Sequence, residues 1–340
     1  MPPDLRRAFL EDIVEHPDED TPRLIFADWL EEQGEEAWAQ LIRQQIRTPQ
    51  HESVWVLLQI HSEIFTTPWV GLAKEILLER GFVEGVIVAG EQMAAFVEAL
   101  PQLCQVHPLR RVRLEFPRSE DLEAVVTHMV AERFRPIALD LNLRSDTTPE
   151  PWLALLRSHA CGERLRSLLI EHEQGDPAWN QAIEFLDGAG SLNHLTELGL
   201  GFGTHGDSLS PAILDRIVGS PWLAQLSRLH VPFTTLSNHA MEVLGDSPLR
   251  ARLTHLDLGC CHIRQAGWEL LVSGSNTQRL QWLGLIGAHV LDDTSTGWES
   301  LRDHHYGNQL ANLLGDRADF VTSTTFPRWR GLVVPEPDLR

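Results

Sequence analysis

Lysine is almost missing from this 340-residue chain: Lys74 stands alone against 27 arginines. Acidic residues outnumber both, with 48 Asp and Glu and a formal net charge of -20. That balance argues against a nucleic-acid or anionic-membrane partner, because both need clustered positive charge to displace counterions. Cysteine is scarce as well. Cys104, Cys161, Cys260 and Cys261 form no CxxC, and the geometry of adjacent Cys260 and Cys261 disfavours a mutual disulfide, so all four read as buried thiols. No run of about 18 apolar residues occurs, and no apolar signal-peptide stretch follows Arg6 and Arg7. The expectation is a soluble, cytoplasmic protein without a membrane partner.

Several catalytic and ligand-binding motifs are equally absent: there is no Walker A, HExxH or GxSxG. His205, Asp207 and Ser208 are triad residue types, but triads assemble across a fold rather than within one turn. His304 and His305 lie near Asp303, yet adjacent side chains diverge and lack the i, i+4 spacing that brings two imidazoles to one ion, so they read as surface or cap histidines. Asp18, Glu19 and Asp20 lack the spacing of a calcium-binding loop and read as a solvated loop. No enzyme activity, cofactor or metal is therefore expected.

Three short helices open the chain. Leu5, Phe9, Leu10 and Ile13 sit at helical spacing, and His16-Pro17 breaks the pattern. Thr21 reads as an N-cap before Pro22, and Leu24, Ile25, Trp29 and Leu30 form the apolar face of a second helix that stops at Gly34. A third, over about 35–47, carries Trp38, Leu41, Ile42 and Ile46. The three are expected to have little core of their own. Residues 1–40 hold twelve acids and three Arg, a solvated face with some attraction for a basic partner. Residues 53–79 suggest two more helices broken at Pro68, the second around Leu72, Ile76 and Leu77.

From residue 83 a triplet of apolar anchors recurs: Val83/Val86/Val88, Leu109/Val112/Leu114, Pro136/Leu139/Leu141, Leu165/Leu168/Ile170, Leu195/Leu198/Leu200, Leu226/Leu229/Val231, Leu253/Leu256/Leu258 and Leu280/Leu283/Leu285. Successive third anchors lie 26, 27, 29, 30, 31, 27 and 27 residues apart, and helix starts at Thr148-Pro149, Asp176-Pro177, Ser210-Pro211 and Ser237 fall between them. Strand, turn and helix on that period read as a leucine-rich repeat.

The anchors resemble ribonuclease-inhibitor-like leucine-rich repeats over about residues 82–305. The resemblance implies an α/β solenoid, with a parallel sheet on the concave side and helices on the convex side. At the Asn or Cys turn position this chain has Pro117, Arg144, Glu173, Gly203, Thr234, Cys261 and Ala288, so only Cys261 conforms and an irregular turn ladder is expected. Pro22-Arg23-Leu24, Ala27-Asp28-Trp29-Leu30-Glu31-Glu32, Gly34 and then Leu41-Ile42-Arg43 with Gln45 resemble the repeat-companion domain of large-genome bacteria, and Arg80-Gly81-Phe82-Val83-Glu84-Gly85-Val86 resembles the start of the repeats in the same proteins. The expected organisation is a repeat-companion-like all-α module over 1–48, a helical connector over 49–81, repeats over 82–305 and a C-terminal cap and tail over 306–340. Phe320, Phe326, Trp329, Leu332, Val333 and Val334 make the tail too apolar for disorder, and it is expected to fold back over the last repeat.

The middle position of each LxL would then point out along the concave side, with flanking positions such as Glu171, Glu197, Arg228 and His255 beside it. Arg113, Asp140, Glu171, Arg228, His230, His255 and Asp257 are the expected partner-binding residues, facing solvent, with Trp282 as an aromatic anchor near the rim. The function expected is a non-catalytic scaffold that binds a protein, one that is basic or an enzyme encoded nearby. The alternative is an inhibitor or sensor subunit regulating an enzyme of a bacterial effector or defence system.

Overall fold

The computed structural model describes residues 3–49, 51–131, 134–144, 150, 154, 164–172, 192, 194–202, 214, 216–217, 220, 223–232, 235–273, 279–291, 298–319 and 332–333. The expected helix starts at Thr148, Asp176 and Ser210, the His205 cluster, Cys161, and the turn positions Glu173, Gly203 and Thr234 lie outside them. The architecture is α/β, with mostly parallel strand pairing and a helical N-terminal region. Two compact units make up the chain, Met1–Pro136 with Trp329–Arg340, and Ile137–Arg328.

In the first unit, helices α1 (Pro3–Glu15), α2 (Thr21–Glu32) and α3 (Glu36–Arg47) do enclose a core, contrary to expectation. Leu10, Ile13, Phe26, Ala27, Leu30, Ala39, Ile42 and Phe82 are buried together, with Phe9, Trp29 and Trp38 packed against them. Ring centroids of Phe26 lie 5.5–6.0 Å from Phe9, Trp29, Trp38 and Phe82, distances at which aromatic pairs add to simple burial. Helix α2 presents a rotated face. Leu24 and Ile25 are 37% and 50% exposed, while Pro22, Arg23, Phe26, Ala27 and Leu30 are buried. Counting apolar residues misplaced this face because Arg23 has a buried ionic partner. Thr21 is the first helical residue rather than the cap; Asp20 holds that position and makes no side-chain cap bond.

Helices α4 (Glu52–Ile60) and α5 (Ser62–Thr66) follow, but Ile76 and Leu77 lie on a strand, not a second helix. Strand β1 (Glu75–Glu79) turns at Arg80-Gly81 into β2 (Phe82–Ala89), and both turn residues have positive φ, 51° and 83°, as a two-residue hairpin of primed type demands. Gly81 is required twice over, since a Cβ there would also collide with the Ile42 side chain. Strand β3 (Arg111–Glu115) adds parallel to β2, with helices α6 (Met93–Val106) and α7 (Ser119–Val130) following β2 and β3. The C-terminal strand Leu332–Val333 pairs antiparallel with β1. That corrects the expectation of a tail folded over the last repeat for its far end, although Ala318–Asp319 at its start does pair with the last anchor strand, Trp282–Gly284: a free β1 edge supplies the unpaired backbone groups that an extended apolar pair can satisfy. Phe320, Phe326, Trp329 and Val334 are not among the described residues.

The two sequence motifs meet in this unit. Trp38 Nε1 donates to the Gly81 carbonyl at 2.6 Å, and Gln45 both accepts from Gly81 N at 2.6 Å and donates to Leu78 O at 2.8 Å. Arg23 Nη2 lies 2.9 Å from Glu84 Oε1, which Arg80 Nη2 also reaches at 2.7 Å; Arg110 Nη1 stands 3.9 Å from Glu84 Oε2. Burial pushes the Glu84 carboxyl up, opposed by the guanidinium groups of Arg80, Arg23 and Arg110.

The second unit carries the parallel strands β4 (Ala138–Leu143), β5 (Ser167–His172), β6 (Glu197–Phe202) and β7 (Arg228–His230). A two-residue strand β8 (Thr235–Leu236) precedes β9 (His255–Asp257), β10 (His262–Arg264), β11 (Trp282–Gly284), β12 (His289–Leu291), β13 (Trp298–Ser300) and β14 (Ala318–Asp319). One sheet of the unit runs β4-β5-β6-β7-β9-β11-β14, and a second runs β8-β10-β12-β13. The anchors Leu139, Leu168, Leu198, Leu229, Leu256 and Leu283 share one register row and are all buried.

A separate hydrogen-bond ladder runs along the leading ends of the strands. The carbonyls of Ile137, Arg166, Thr196, Ser227 and Thr254 each accept two backbone N–H groups from the next strand, at 2.7–3.2 Å. Thr196, Ser227 and Thr254 add hydroxyl donors to Arg166 O, Thr196 O and Ser227 O at 3.1, 3.3 and 3.0 Å. At the expected turn position, Cys261 Sγ donates to Val231 O at 3.0 Å. Helix Asn238–Asp246 starts as read, with Ser237 Oγ accepting from Ala240 N at 3.1 Å.

Breaking the Glu84 cluster from one side leaves a buried carboxylate short of its cations. Arg23→Ala is expected to lower the unfolding free energy by about 3–5 kcal/mol in urea titrations. A loss below about 1 kcal/mol, the range of surface pairs, would contradict the assignment.

Candidate functional site

Parallel in-register pairing fixes which side chains of the second unit stand side by side. One row runs Ser167, Glu197, Arg228, His255, Trp282; the next runs Asp140, Leu169, Gly199, His230, Asp257, Gly284, Asp319. Both lie on the face opposite the leucine row, because side chains alternate along a strand. Arg228, Glu197, His255 and Trp282 keep solvent exposure, as does Glu171 at the far end of β5.

The middle row does not point to solvent as expected. Asp140, His230 and Asp257 are only 3%, 6% and 1% exposed. Glycine in the row explains part of this: a Cβ at Gly284 would collide with the Trp282 indole, which lies across it, and one at Gly199 would stand 2.8 Å from Leu169 Cγ. Neighbouring side chains fill the space the glycines leave. Ionic contact explains the rest. His230 Nε2 is 2.9 Å from Glu197 Oε1, and His230 Nδ1 faces Asp257 Oδ2 at 3.7 Å, an ion pair beyond hydrogen-bond length. Asp257 Oδ1 turns back to accept from Gly259 N at 2.9 Å.

Burial alone would lower the His230 imidazolium, but the carboxylates of Asp257 and Glu197 outweigh it and raise it to about 9. Burial likewise opposes ionisation of Glu197, and the His230 hydrogen bond and charge, with Ser167 and Arg228, hold that carboxyl below its usual value. His255 is lowered by burial and by the positive charges of Arg228 and His230, so it stays neutral at pH 7. Its ring sits 6.4 Å from that of Trp282, whose Nε1 is 3.5 Å from Asp319 Oδ2. The face thus combines a protonated imidazole locked between carboxylates, an exposed guanidinium and a tilted aromatic pair. Nothing in that set forms a nucleophile with a base; it presents fixed charges and an aromatic surface.

Arg113 belongs to the first unit, on β3, and its Nε lies 3.1 Å from Glu115 Oε1. Glu197 and Asp319 are the members that the sequence reading left out of the expected set. Glu197 was visible as a flanking position, and only strand register reveals that it reaches His230. His304 caps helix His305–Leu314, its ring accepting from Tyr306 N at 3.4 Å. Among the described residues no group of three or more His, Cys, Asp or Glu is placed to hold a metal, and no helix is long and apolar enough to cross a membrane. Compared with known proteins, the chain matches no family model and no curated protein.

The raised His230 value carries a pH dependence. A group raised on folding contributes stability that is full below its unfolded value near 6.5 and lost as pH rises through about 9. Urea unfolding at pH 6 and pH 10 should show the wild type losing up to about 3 kcal/mol more than His230→Gln. Equal losses in both proteins would rule out the ion-paired imidazolium.

Proposed function

We propose that the chain is a non-catalytic protein-interaction scaffold, built as a leucine-rich-repeat solenoid of ribonuclease-inhibitor-like type with a repeat-companion-like helical module at its N-terminus. It works in the cytoplasm and takes a protein partner on the exposed strand face of the second unit. The observation that carries this reading is the row Glu197, Arg228, His255, Trp282, four adjacent strands offering charge and aromatic surface in one line.

Side chains on paired strands lose little freedom on association, so they cost less to order than loop residues. The buried His230 pair stiffens the floor under that row. Arg228 and Trp282 are the contact residues favoured by chemistry, since arginine and tryptophan dominate interface energetics. Asp140, His230 and Asp257 support the face from within. Glu171 adds a further half-exposed charge on β5, and nearly half of the net negative charge, -9 of -20, lies in residues 1–40, which favours a basic protein.

A photo-crosslinking residue at position 228 in the native host tests the reading, with one at Arg264 on β10 as the control. A protein adduct formed from 228 and not from 264 is expected. Charge reversal, Arg228→Glu, should weaken binding of that protein by about 1–3 kcal/mol while the far-UV circular dichroism stays native. Adducts from 264 alone would overturn the assignment of the face.

A further inference from the structure

The second sheet of the same unit holds a histidine pair that the binding face does not use. His262 on β10 and His289 on β12 are direct register partners, and their rings stack 5.0 Å apart with planes 6° from parallel. Cys261, Ile263, Ala288 and Val290 on either side are buried, so the two imidazoles leave the backbone together on the opposite, half-buried side. His289 Nδ1 is shielded from water and has no hydrogen-bond partner among the described residues. A polar ring nitrogen in that state costs free energy that a ligand can offset.

We propose that His262 and His289 form a two-histidine site for a divalent transition-metal ion of the copper, nickel and zinc group. Parallel register presents the two rings at the same height, which spacing along the sequence could not reveal because the residues come from separate strands. Metal–imidazole bonds are about 2.0–2.1 Å long, so one ion needs the two nitrogens within roughly 4 Å of each other. Rotation about the soft χ2 of each ring supplies the closure from the stacked arrangement. Imidazole must be neutral to ligate, so metal binding at this pair competes with protons and weakens as pH falls. Water fills the remaining coordination positions. Imidazole ligation favours the late first-row ions, copper most strongly.

The test uses the full-length, metal-free chain titrated with Cu2+, followed by calorimetry and by electron paramagnetic resonance, which counts coordinated nitrogens. One Cu2+ site with two ring nitrogens is expected. His262→Gln or His289→Gln should each weaken it by about tenfold or more and remove one nitrogen. His305→Gln, at an exposed histidine elsewhere, should change nothing. Unchanged affinity and nitrogen count in both variants, with native far-UV circular dichroism, would mean the rings only stack. Should a variant unfold, the wild type still decides: Cu2+ must protect His262 and His289 from diethylpyrocarbonate, and equal modification with and without Cu2+ overturns the site.

Discussion

In-register parallel pairing is the constraint on which the second unit depends. Leu168, Leu198, Leu229, Leu256 and Leu283 stand in one buried row, and a one-residue slip of any strand would send its leucine to solvent. The register therefore holds the neighbouring rows in place as well. Glu197 meets Arg228 and His230 because their strands cannot slide. The hydroxyls of Thr196, Ser227 and Thr254 reinforce the same register from the leading ends of the strands.

The first unit depends on a different contact. Glu84, buried in β2, gathers Arg23 from α2, Arg80 from the hairpin turn and Arg110 from the segment before β3. Four charges in one apolar setting are costly to bury and tolerate few alternative arrangements. Around them the aromatic rings of Phe26, Trp38 and Phe82 close the core, and Gln45 satisfies both sides of the turn. Helical module and hairpin are thus one packed body rather than a cap resting on a strand.

What the sequence made legible follows from periodicity. The leucine triplets located the strands because alternation and burial leave a direct imprint on residue type. Arg23 was invisible as a core residue because its partner lies 61 positions away. Ile76 and Leu77 were misread because Glu75–Glu79 is a short apolar run, which fits either a helix turn or a strand; the Arg80-Gly81 turn settles it. The middle position in each LxL suggested that Asp140, His230 and Asp257 face water. Their burial depends on Leu169 leaning over Gly199, on Trp282 lying across Gly284 and on a cross-strand ion pair, none of which has a local signature.

The central claim is that a protein partner seats on the row containing Trp282. Labelling with 5-fluorotryptophan and recording 19F spectra tests it most directly, with Trp282 assigned through Trp282→Phe. Adding the crosslinked partner in purified form should shift or broaden the Trp282 resonance and leave that of fully buried Trp268 in place. A Trp282 resonance unchanged at saturation, while Trp29 or Trp38 of the helical module moves, would contradict the account.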